Sequence, residues 1–226
     1  MQLVRVMLQS ALRILIFLIF AQTAHGQQSR WTVEEKRGSI DVYAEFDPGM
    51  QDLWNNVNDV TRELEELLGV EPSGESIQII LFRDQASYLR YLASSIPQSR
   101  QRKAIFYQNG DVCQVYAFRS RTLITDLRHE MTHAILHQHL QFLPLWVDEG
   151  LAEYLEEPES SRAGSSRTRT ARWQARFGWS PSIKSLEAIA TAESMNGDEY
   201  RDSWAMICML LNESDASRQA LREYLA

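Results

Sequence analysis

Leu127-Arg128-His129-Glu130-Met131-Thr132-His133-Ala134-Ile135, followed by Pro144-Leu145-Trp146-Val147-Asp148-Glu149-Gly150-Leu151-Ala152-Glu153-Tyr154, is the stretch on which the fold turns. Residues four apart project from one face of a helix, so His129 and His133 present two imidazoles side by side. Leu123, Leu127, Met131, Ala134 and Ile135 form an apolar stripe at helical spacing beside that face. The segment from about 122 to 141 therefore reads as a helix with its histidines at the edge of the core. Two such imidazoles can reach one Zn2+ at about 2.0–2.1 Å without bending the backbone. Glu130, one position beyond the first histidine, stands beside such an ion rather than on it. There it can take a proton from zinc-bound water.

Catalytic zinc takes three protein ligands and keeps one position open. Glu149 follows His133 by sixteen positions, room for the first helix to end, bend at Pro144 and return as a second helix over about 145–156. That helix can lay the Glu149 carboxylate beside the two histidines. Gly150, directly after it, allows two backbones to approach closely. Glu153 lies one turn on and can accept the free N–H of a ligand histidine. Asp126, three before His129, is a weaker supporting candidate and also a normal first-turn helix acid. Asp148 reads as solvent-facing.

Outward from this centre, Ser39 to Phe46 alternates as a half-buried strand, and Asp47-Pro48-Gly49 ends it. A helix over about 50–68 is closed by Gly69. An apolar strand at 77–82 and a helix at 84–95 follow, then a polar connection at 97–103. Strands at about 104–107 and 112–118 flank Asn109-Gly110, a hairpin signal because both residues tolerate positive φ. Residues 157–170, rich in Ser, Arg, Gly and Thr, read as a surface loop. Helical patterns cover 183–192, 199–212 and 216–225. This order implies an α+β fold in one domain over 27–226, its sheet within about 39–120 and its helical part over 121–226.

The first residues read as an export signal, with Arg5 and Arg13 before the apolar run Ile14 to Ala21 and a cleavage site after Gly26 in Ala24-His25-Gly26. The apolar run is too short to span a bilayer as a helix, although an uncleaved anchor is the alternative. No other stretch is long and apolar enough to span, so the expected localisation is periplasmic or extracellular, with no stable span after cleavage. Loss of 1–26 removes two arginines and no acid, moving the net charge from −7 to −9. Such a balance argues against general nucleic-acid binding. Cys113 and Cys208 supply no disulfide framework, and two separate thiols are the simpler reading than one bridge.

The motif His129-Glu130-Met131-Thr132-His133 with Trp146-Val147-Asp148-Glu149-Gly150-Leu151-Ala152-Glu153-Tyr154 resembles the gluzincin clan of zinc metallopeptidases, and more narrowly the exported peptidase-MA-like domains of bacteria. The resemblance is specific from Leu127 to Tyr154 and general elsewhere. It implies one Zn2+ held by His129, His133 and Glu149, Glu130 as general base, and Glu153 supporting a ligand histidine. It implies a zincin-like fold, a small mixed sheet packed on the two active-site helices, whose edge strand lies over the cleft. Val112 to Phe118, which directly precedes the zinc helix, is the expected edge. The implied activity is hydrolysis of a peptide or protein substrate by metal-activated water. No amine-binding element or large accessory domain of the clan's aminopeptidases is visible, which favours an endopeptidase-like enzyme.

Tyr200, Tyr154 and His137 are candidates for the donor that stabilises the oxyanion. The resemblance, through the tyrosine or histidine of related enzymes, favours Tyr200 by position, although a packing tyrosine beside Trp204 is its simpler reading. Arg162, Arg167, Arg169, Arg172 and Arg176 form a basic stretch, read as a solvated loop or as a contact to an acidic substrate or partner. Trp173, Phe177 and Trp179 are expected to refasten the chain to the core. Two other readings stay open, a catalytically inactive metal- or partner-binding domain and a zinc hydrolase of non-peptide amides. Oligomeric state and cleavage specificity are not written in these residues.

Overall fold

The structure, a computed structural model, describes residues 30–70, 74–96, 102–110, 112–192 and 194–226. The expected signal at 1–26 and most of the connection at 97–103 lie outside the described residues. Trp31–Ala226 form one compact unit.

Five strands make one mixed sheet: β1 (Val33–Arg37), β2 (Ile40–Ala44), β3 (Ile77–Phe82), β4 (Ala104–Asn109) and β5 (Val112–Phe118), in the order β1-β2-β3-β5-β4. The outer pairs β1/β2 and β4/β5 are antiparallel, and the inner pairs β2/β3 and β3/β5 are parallel. The helices are α1 (Met50–Leu68), α2 (Gln85–Ser95), α3 (Leu123–His139), α4 (Leu145–Leu155), α5 (Glu159–Arg162), α6 (Ser166–Ala175), α7 (Ile183–Glu187), α8 (Gly197–Asn212) and α9 (Asp215–Leu225). The class is α+β.

β3 reads as continuously apolar because both its faces are covered. Ile77, Ile79 and Leu81 join the main core with Leu53 and Trp54 of α1, Leu127 and Met131 of α3, and Leu151 of α4. Ile80 and Phe82 point the other way, to Tyr88 and Leu92 of α2. The predicted stripe of α3 is fully used: Leu123, Leu127, Met131, Ala134 and Ile135 are all buried. Gly69 closes α1 with φ 72°, and its N–H donates to the Glu65 carbonyl.

Several expectations change, the helix expected over 183–192 among them, since α7 ends at Glu187. β5 is not the edge strand: the hairpin folds β4 to the outside, and β5 lies between β4 and β3. Chain order told which strand precedes α3, but not on which side of it the hairpin partner falls. β1, unforeseen because Val33-Glu34-Glu35-Lys36-Arg37 is mostly charged, is the opposite edge, where charge is favoured. The expected loop at 157–170 contains α5 and the first half of α6, with the Ser165 side chain capping α6 by accepting from Thr168 N–H. Trp173 and Phe177 do not return to the core; they are 60% and 74% exposed. Trp179 is half-buried, with the Arg201 guanidinium 5.0 Å from its ring. Cys113 and Cys208 are both free thiols.

Candidate metal centre

α3 packs against β4, β5 and α4, and α4 in turn packs against α8. The Pro144 carbonyl accepts from the N–H groups of Val147 and Asp148, so α4 starts directly at the bend and runs back past α3. A close approach to α8 is possible only because residue 150 is glycine. A Cβ there would stand 2.7 Å from Ile207 Cγ1 and 2.8 Å from the Ser203 carbonyl oxygen.

This packing brings His129, His133 and Glu149 together, with one ligand atom from each lying within 4.8 Å of the others. Glu149 Oε2 is 3.6 Å from His129 Nε2 and 3.8 Å from His133 Nε2. These separations exceed a hydrogen bond, and the oxygen is buried with no hydrogen-bond partner. A buried carboxylate oxygen without a partner is costly unless a cation meets it. Ligand atoms about 2.0–2.1 Å from a tetrahedral zinc stand roughly 3.3 Å apart, close to what is seen. The three residues fit such an ion.

The opposite ring nitrogens face carboxylates. His133 Nδ1 lies 2.6 Å from Asp148 Oδ1, and His129 Nδ1 lies 3.3 Å from Glu156 Oε2. A proton held on each Nδ1 leaves both Nε2 lone pairs turned to the shared centre. Asp148 is buried rather than solvent-facing, and its other oxygen meets His137 Nε2 at 2.9 Å. Glu153 does not hold a histidine: it pairs with Arg167, which also takes Glu156 Oε1 at 3.0 Å. Glu153 still lies in the cluster with His129 and Glu156. Glu149, Glu153 and Glu156 follow a four-then-three spacing down one helix face, the signal by which Glu156 could have been found. Asp126 accepts from the Thr122 hydroxyl at 2.8 Å in the first turn of α3, the helix-start role.

A scan against protein-family models and a search of the curated proteins found no match.

Burial opposes charge throughout the centre, yet opposite partners win. Burial would lower the His129 pKa, but Glu149 and Glu156 hold it well above the usual imidazole value. His133 is likewise raised against burial by Asp148. Burial would push Asp148 and Glu149 up, but the histidines hold both below the usual carboxylate range, Arg102 helping at Glu149. Glu153 moves the other way, raised by burial and by neighbouring Glu156.

Glu130, the next side chain after His129, is buried and its Oε2 accepts from the Phe106 N–H of edge strand β4 at 2.6 Å. The Phe106 ring lies over His133 and His137. Tyr200 is in the first turn of α8, where Asn196 and Glu199 form a reciprocal cap. Its hydroxyl accepts from Arg102 Nη2 at 2.9 Å, and Arg102 Nη1 reaches to 4.0 Å from Glu149 Oε1. Arg102 was not singled out in the sequence; only the fold brings the start of β4 beside α8. Tyr154 points away, with its hydroxyl accepting from Asn212 and its ring beneath Arg162. A separate depression of about 580 Å³, bordered by Val70, Leu140 and Arg222, contains none of these groups.

Proposed function

We propose that the chain is a zinc-dependent peptidase of the gluzincin type, with His129, His133 and Glu149 as ligands and a zincin-like fold around them. One observation carries the reading: two Nε2 atoms and a buried, partnerless carboxylate oxygen converge, while both Nδ1 atoms are held by other carboxylates. A cation at that point gives all three groups a partner. When bound, zinc supplies a Lewis acid that polarises the scissile carbonyl and eases deprotonation of water.

The chain's own groups divide the remaining work. Glu130 takes the proton of the attacking water and delivers it to the departing amine as the C–N bond breaks. The Phe106 N–H fixes which way its carboxylate points. Tyr200 and Arg102 stand on the Glu149 side and supply donors for the oxygen that gains charge. β4, an edge strand among the described residues, can take an extended substrate by strand addition.

The test is zinc content together with peptide cleavage for wild type and Glu130→Gln. The expected result is one zinc per chain in both, with cleavage reduced about 10²–10⁴-fold in the variant. Zinc in both and cleavage by neither, over a broad peptide library, would overturn the peptidase reading and leave a metal-binding domain. Cleavage of a non-peptide amide that depends on Glu130 would keep the chemistry and change the substrate.

A further inference from the structure

We propose that the outer face of α6, with the turn after it, docks on an anionic phospholipid surface. Charge is segregated there: residues 160–186 carry five arginines and one lysine and no acid, in a chain of net charge −7. Two of those arginines are used internally, Arg162 on Glu63 and Arg167 on Glu153 and Glu156. Arg169, Arg172 and Arg176 are exposed, and none pairs with a carboxylate among the described residues.

At about 100° per residue these three arginines share one arc of the helix. Trp173 and Phe177 occupy the adjoining arc, their rings 4.8 Å apart and mostly exposed. Thr168, on the inward side, is buried. Exposed aromatic rings beside guanidinium groups that no carboxylate neutralises among the described residues supply the two attractions of interfacial binding, apolar burial and charge. Tryptophan favours the headgroup boundary, and arginine can reach phosphates while its stem lies along apolar surface. The face is a convex helix. An acidic peptide partner would be better served by a groove or a free strand edge, which α6 does not offer.

The test is cosedimentation of the full chain with phosphatidylcholine vesicles, with and without phosphatidylglycerol. The comparison is with Arg169→Gln/Arg172→Gln/Arg176→Gln and with Trp173→Ala/Phe177→Ala. Each chain carries the same N-terminal segment, so its contribution cancels. Phosphatidylglycerol is expected to add binding beyond that to phosphatidylcholine alone, and this added affinity should fall roughly 100-fold in the triple variant. Trp173 emission should shift to the blue on binding, a change lost in Trp173→Phe. Circular dichroism and zinc content should match wild type in every variant, which separates docking from misfolding. Equal binding by wild type and triple variant would overturn the proposal. So would equal attachment to soluble polyglutamate with no change in Trp173 emission, which would mark the face as a docking site for acidic proteins. Neither outcome depends on peptidase activity.

Discussion

At the centre of the site, Asp148 touches two histidines at once, and only one of them faces the shared metal position. Asp148→Ala should weaken zinc binding about 10–100-fold, by chelator competition, without removing a ligand. Glu156→Ala should act in the same direction through His129, and Glu153→Ala should do less, because its carboxylate pairs with Arg167. An equal loss from Glu153→Ala would show that Glu153, despite its ion pair with Arg167, also supports His129. The pair also sets a pH dependence for the metal-free protein. The raised pKa of His133 stabilises below its ordinary 6.5 and is lost as pH climbs through the raised value. The depressed pKa of Asp148 stabilises above its ordinary 3.8 and is lost as pH falls through the lowered value. Calorimetry of metal-free protein should thus show the pair's contribution complete between those two ordinary values. Zinc needs neutral imidazoles, so loading should move the optimum upward, and an unmoved optimum would contradict this. The two histidines of the proposed site and Glu130 were legible because they sit within five residues of one helix. Asp148 and Glu156 were not, since which way they point depends on the rotational phase at which α4 meets α3.

Among the elements, a buried acid binds three parts of the chain. Glu63 of α1 accepts from Arg128 of α3 at 3.0 Å and from Arg162 of α5 at 2.6 Å, and all three side chains are buried. Arg128 Nε also donates to the Leu155 carbonyl at the end of α4. Glu63→Ala would leave two arginines buried without their counter-charge. It should cost about 3–5 kcal/mol in denaturant unfolding, a large share of the stability of such a domain. A cost below about 1 kcal/mol would show that water reaches the pair. The apolar elements were readable from periodicity: the strand at Ile77–Phe82 and the helix at Met50–Leu68 lie where expected. β1 and α6 were not, because both are polar segments whose structure depends on neighbours, β1 on pairing with β2 and α6 on Ser165 and on the ion pairs of Arg167.

For the molecule as a whole, a metal held at the proposed site would be linked to stability, because a site assembled from α3 and α4 exists only in the folded chain. Zinc at about a hundredfold excess over its dissociation constant should add roughly 2.7 kcal/mol, removed by chelator and missing in Glu149→Ala. The α+β order of the chain was legible from the succession of strands and helices, whereas the side on which the β4/β5 hairpin lies was not. Gly150→Ala should be destabilised by about 1–3 kcal/mol, since its methyl would press on the Ser203 backbone. The larger effect reaches beyond stability. Ser203 is three residues from Tyr200 on α8, so the missing side chain acts as a spacer of zero thickness between α4, which carries Glu149, and α8, which carries Tyr200. Thickening it by a single carbon would push Tyr200 away from Glu149, so any cleavage at the proposed site should fall in Gly150→Ala at temperatures where its circular dichroism still matches wild type.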